Sequence, residues 1–197
     1  MLLQELLKTK TKGNHDQLEE LMFVHEIMNK TLSLEQYKTL LATNYLVHAN
    51  LEFKVHLALD ENTAKQVGAD QRYKLSSLIE DLKEAGISKD ELDQININVP
   101  HNEYSPAAAL GAMYVLEGAT MGGQVIQKKL RATPAFEGLN LNYYTIYGDN
   151  LMPNWKSFVG VLNTAVPESD YQQVIDSASE TFMFIATVSQ LVNTTLV

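Results

Sequence analysis

"LGAMYVLEGATMGGQVIQ", residues 110–127, is an apolar run that carries glycine at 111, 118, 122 and 123. Each glycine inside a helix costs about 1 kcal/mol relative to alanine, so four in one stretch need a compensating reason. The run lies within a helix read at 105–131, opened by Ser105 with Pro106 at the first helical position. Such a helix is about 40 Å long at 1.5 Å per residue. On a wheel of 100° per residue, Gly111, Gly118 and Gly122 fall within a few tens of degrees of one another and make one bare stripe. Two explanations remain open on this evidence: close helix packing or a kink at the paired glycines, and a ligand lying against the backbone.

The helical reading extends in both directions. From Leu34, apolar or half-apolar residues recur at 37, 41, 45, 48, 51, 55 and 59, the three-and-four spacing of one helix face. Ser33 with Gln36, and Ser88 with Glu91, are capping boxes; Val166-Pro167 is a further helix start. The spacing predicts helices at 2–29, 33–59, 62–85, 88–94, 105–131, 154–164 and 168–194. The only candidate for strand alternation is "QININV", within a polar connection over 94–105. The predicted fold class is all-α, a single-domain helical bundle over residues 1–197, with no internal repeat.

Composition narrows the function classes. The chain has 197 residues, of which 45% are hydrophobic, enough for one core. A formal net charge of −9 disfavours general nucleic-acid or membrane-surface binding, both of which need basic surface. No apolar run approaches the roughly 20 residues that span a bilayer, and a soluble, intracellular, cytoplasmic protein is expected. The absence of cysteine removes thiol nucleophiles, Cys-ligated zinc and iron–sulfur clusters.

Histidines occur at 15, 25, 48, 56 and 101. Glu19 follows His15 by four residues, placing a carboxylate one turn along the same face, where it can orient an imidazole that ligates a metal. His48 and Glu52 repeat that spacing, and spacing alone does not choose between the pairs. No Glu-x-x-His pair for a di-iron bundle, no His-Glu-x-x-His, no phosphate loop and no serine elbow is present.

"LKTKTKGNHDQLEE" (7–20) and "YVLEGATMGGQVI" (114–126) together resemble the heme oxygenase family, particularly its bacterial members. "LSLEQYKTLLATNYLVHANLE", "PNWKSFVGVLN" and "VIDSASETFMFIATVSQLV" are similar to the family's second, penultimate and last helices, in the family's order. The resemblance implies a heme held between a proximal and a distal helix. His15 falls on the iron-ligating position and Glu19 on that of the residue that holds its ring. Gly118, Gly122 and Gly123 fall on the distal helix where the backbone crosses the heme face, and Lys8 and Lys156 on positions that pair with its propionates. The implied activity is oxidative opening of the heme ring to biliverdin with release of carbon monoxide and iron, using O2 and an external electron donor such as a ferredoxin or a flavin reductase.

Two positions depart from the family pattern. Ala119 stands where the animal enzymes carry an aspartate that organises distal water, so proton delivery would rest on ordered water or on Thr120 or Gln124. Gly160 replaces a second propionate cation. Ala119 keeps open a heme carrier or sensor without turnover. The related thiaminase-like architecture commonly uses a cysteine, which this chain lacks. The clusters Lys8, Lys10, Lys12 and Lys128, Lys129, Arg131 read either as docking surface for propionates or an acidic donor, or as solvated charge at helix ends.

Overall fold

A computed structural model describes residues 1–100 and 103–195; His101 lies outside them. Among the described residues there are helices and turns and no strand. The 24-residue helix α4 (Leu34–Leu57) starts where the capping box predicts. The Gln36 N–H donates to Ser33 Oγ at 3.1 Å and the Ser33 N–H to Gln36 Oε1 at 2.9 Å. Its predicted face is in the core, with Tyr37, Leu41, Tyr45, Leu51 and Val55 all at most 2% exposed.

The glycine-rich stretch is helical throughout, as α8 (Pro106–Arg131), capped by Ser105, whose Oγ accepts from the Ala108 N–H at 3.1 Å. It packs along the last helix, α11 (Tyr171–Thr195), which also bears on α4. Gly111 explains the closeness of that crossing. A Cβ there would sit 2.3 Å from the Val174 carbonyl oxygen, far inside contact distance. Three residues earlier on α8, the Ala108 carbonyl accepts the Ser177 hydroxyl at 2.7 Å. Packing is therefore the role of Gly111, and only of Gly111, among the stripe.

Breaks in two predicted helices are the main departures from the sequence reading. Residues 2–29 form three helices: α1 (Leu3–Lys10), α2 (Lys12–Leu21) and α3 (Val24–Asn29). Thr11 is buried between α1 and α2, and its backbone leaves the helical region at φ −99°, ψ 6° while its N–H still donates to the Leu7 carbonyl at 2.9 Å. Phe23 adopts the left-handed region at φ 55°, which ends the ladder outright. The helix predicted at 62–85 is likewise divided into α5 (Glu61–Val67) and α6 (Leu75–Glu84), separated by Gly68 at φ 65° and a turn. That break points Arg72 and Lys74 inward, and both are buried.

The remaining helices are α7 (Lys89–Leu92), α9 (Asn142–Thr145) and α10 (Leu151–Ala165). "QININV" leaves a turn and pairs with no strand: Ile95, Ile97 and Val99 rest half-buried on the core while Gln94, Asn96 and Asn98 face out. Its alternation reports one buried side, not a sheet. No helix among the described residues is long and apolar enough to cross a membrane.

Candidate functional site

The α2 helix, which carries His15, buries none of its residues. It lies against α11 and α3, and α11 and α3 in turn pack on α8. The His15 side chain is 57% exposed and that of Glu19 50%. Nδ1 of His15 stands 3.8 Å from Glu19 Oε1, a charge contact longer than a hydrogen bond, and its ring meets the edge of Phe182 from α11 with centroids 6.1 Å apart. Asp16 completes a group whose ligand atoms lie within 4.8 Å of one another, but its carboxylate is already taken by Lys12. The ring of His15 thus keeps a free nitrogen on an open helix face.

Its sequence twin does not. His48 and Glu52 are buried, with Nδ1 3.0 Å from Glu52 Oε1 and Nε2 3.4 Å from the Tyr143 hydroxyl. Burial pushes the His48 imidazole below its usual range despite Glu52, so the ring is neutral and both nitrogens are engaged. Of the other described histidines, His25 is bonded by Asn29, and His56 packs on Tyr73 in the core.

On α8, Gly118 is half-buried and Gly122 exposed. A Cβ at Gly118 would meet only the Trp155 ring of α10, at 3.8 Å, and one at Gly122 would meet nothing within 4 Å. Neither glycine is required by packing within the chain. Gly123 differs: it is buried against Tyr144, 3.5 Å from a Cβ position. Ala119 is exposed. Thr120 sits about half a turn round the helix from Gly118 and Gly122. Its hydroxyl donates to the Glu117 carbonyl at 2.6 Å and faces a cavity of about 170 Å3 bounded by Gln124, Gln127 and residues 144–149. Lys8 and Lys156 are both exposed, on α1 and α10, two helices joined by the Gln4 N–H donating to Asn163 Oδ1 at 3.0 Å. These two cations therefore stand on neighbouring helices. In the lysine clusters, Lys129 bonds the Met28 carbonyl at 3.1 Å and Lys12 pairs with Asp16, so part of that charge serves the helices themselves.

Behind the glycines lies a buried ionic group. Glu117 is 2% exposed, and its carboxylate accepts from Arg72 and Lys74 and from the Tyr147 hydroxyl at 2.9 and 3.1 Å to its two oxygens. Burial alone raises the Glu117 carboxyl, but Lys74, Arg72 and these hydrogen bonds outweigh it and hold the group ionised. Glu117 stood in plain view, a lone charge inside "MYVLEGAT". Its partners, 43 and 45 positions upstream, carry no local signal.

The fold thus leaves an open imidazole on α2, side-chain-free backbone on α8 and two exposed cations on the adjoining helices α1 and α10. The heme oxygenase family model matches residues 1–191, and the chain belongs to the heme oxygenase family. Among solved structures, it is similar to the heme oxygenase of Leptospira interrogans, with TM-score 0.80 and 19% identity over 97% of this chain and 100% of that one. A heme oxygenase of the cyanobacterium Synechocystis in complex with heme gives TM-score 0.76 and 17% identity over 100% and 94%. The NO- and CO-bound heme oxygenase of Neisseria meningitidis gives 0.73 and 19% over 98% and 92%. At these identities the likeness is one of fold. Among curated proteins, none matches the sequence.

Proposed function

We propose that the protein opens heme to biliverdin, releasing carbon monoxide and iron. The observation that carries this reading is the contrast on α2 and α8. His15 offers a ring nitrogen that no other side chain takes, and Gly118 and Gly122 stay bare although nothing in the fold occupies the space of a methyl group at either. The residues fit heme: His15 for the iron, Glu19 to orient the imidazole, Gly118 and Gly122 along the ring face with Gly123 seated behind them on Tyr144, and Lys8 and Lys156 for the propionates. When bound, heme supplies the iron at which O2 is reduced and the ring that is oxidised.

The side chains do the rest. A neutral imidazole ligand pushes electron density less than a thiolate would and so does not favour early O–O cleavage. Glu19, half exposed and one turn away at 3.8 Å from Nδ1, would orient the ring and set its tautomer if it closed to hydrogen-bond range. Without a side chain at 118 and 122, α8 would leave room for O2 beside a bound ring. Because Ala119 carries no acid and the Thr120 hydroxyl is turned to the far side of α8, protons reach the site through ordered water held by the backbone. Electrons come from an external donor, a ferredoxin or flavin reductase in the cytoplasm, docking near Lys128 and Lys129.

Ala119 favours one competing reading, a heme carrier or sensor. The two separate when hemin is added to the purified protein and a reductant is supplied in air. Conversion of the Soret spectrum to that of biliverdin, with carbon monoxide evolved, is the expected result. A stable heme spectrum under the same conditions would leave the carrier, and failure to bind hemin would remove both.

A further inference from the structure

Support for α8 changes abruptly at one residue. From Ala107 to Glu117 every side chain except Tyr114 is buried; beyond Glu117, only Gly123 and Leu130 are. On the side where Thr120, Gln124 and Gln127 project, the helix borders the 170 Å3 cavity, and Gly123 against Tyr144 is its one buried contact before Leu130. With so few buried contacts of its own, the segment 118–127 takes its place in good part from the residue that holds its N-terminal end. That end is Glu117, joined to Gly118 by one peptide bond.

The grip on Glu117 is itself anchored. The Arg72 Nε–H donates to the Val67 carbonyl at 2.6 Å and its Nη2 to the Asn154 carbonyl at 3.0 Å, while its guanidinium lies 5.7 Å from the Phe158 ring centroid. Lys74 Nζ donates to the Arg72 carbonyl at 2.9 Å and sits over the Tyr147 ring at 5.4 Å. Asn154 precedes Trp155, the side chain nearest Gly118. One cation thus ties the residue before Gly118 to the residue before the ring that faces it. For stability alone an apolar cluster of equal volume would serve as well as a buried ion group, whereas charged hydrogen bonds fix direction as well as distance.

We propose that Glu117 is a positioning residue for the glycine wall: the Arg72, Lys74 and Tyr147 contacts to its carboxylate hold Gly118–Gly123 at the height a flat ligand requires. The inference deepens the function proposed above and rests on it for the ligand's identity, but its test begins without ligand. Backbone hydrogen exchange is followed on the full chain for the parent, Glu117→Gln and Tyr147→Phe. Tyr147→Phe keeps both ion pairs and removes one hydroxyl, so it carries the test if Glu117→Gln fails to fold. Expected is exchange in 118–127 faster by about tenfold in Tyr147→Phe, with α4 and the centre of α11 unchanged. Hemin titration of the same variant should show weaker binding by a similar factor. Unchanged exchange in 118–127, or an equal rise in α4 and α11, overturns the proposal by reducing the network to general stability. Faster exchange confined to 118–127 in a protein whose parent binds no hemin would sustain the positioning role and defeat the function.

Discussion

His15–Glu19 and His48–Glu52 share one spacing, one element type and opposite fates. The first pair lies open on a helix that buries nothing; the second is sealed between α4 and its neighbours, at 1% and 3% side-chain exposure. In the sealed pair Glu52 also accepts the backbone N–H groups of Lys74 at 2.6 Å and Leu75 at 3.1 Å, capping the start of α6. The buried motif is consumed by the fold, and the exposed one is left over for something outside it. A pair that satisfies itself holds structure together; a pair that does not is available for chemistry.

The sharpest way to break this contrast is to remove each imidazole. His15→Ala should abolish the ligated Soret band of the hemin complex while leaving thermal unfolding near the parent's. His48→Ala should keep the band and lose on the order of 2–4 kcal/mol of stability, measured by denaturant unfolding. Loss of the band in His48→Ala with retention in His15→Ala would reverse the assignment.

Acid should single out the buried histidines next. Burial lowers His48, and lowers His56 to about 4. A histidine in the unfolded chain takes its proton near pH 6.5. Below that pH the unfolded state binds protons that the folded state refuses, so stability is full above about 6.5 and falls as pH drops toward 4. For His56 the loss amounts to roughly 3 kcal/mol, at about 1.4 kcal/mol per pH unit. The melting temperature followed from pH 7.5 to 4.5 should fall, and His56→Gln should flatten the decline. A parallel decline in both proteins would show that His56 does not carry it.

The smallest effect concerns the carboxylates. Glu19→Gln should weaken hemin binding by about tenfold, as loss of a residue that orients a metal ligand does, with little change in melting temperature. Glu52→Gln should do the converse. Equal hemin affinities for Glu19→Gln and the parent would leave the imidazole of His15 without an orienting partner.

How far the sequence could be read follows from the range of each interaction. α4 and α8 were legible because periodicity and a capping serine are local, and they begin within a residue of the expected positions. The division of 2–29 was hidden because it depends on a left-handed Phe23 and a buried Thr11, neither of which weak helix propensity at one position would announce. Resemblance, not spacing, favoured His15 over His48; the difference in burial between the two pairs was not legible in the sequence. The Glu117 network escaped because charged residues are ordinarily read as surface, and its partners come from a helix break that was itself not foreseen.

Gly111 and Gly122 lie one above the other on the same helix face, yet they would fare differently under selection for stability alone. A library screened for resistance to heat, with no ligand present, should reject any side chain at 111, where the α11 backbone blocks it, and should readily accept alanine at 122, gaining helix propensity. The variants that survive such a screen would be sturdier and would have covered the bare backbone on which the proposed heme site depends.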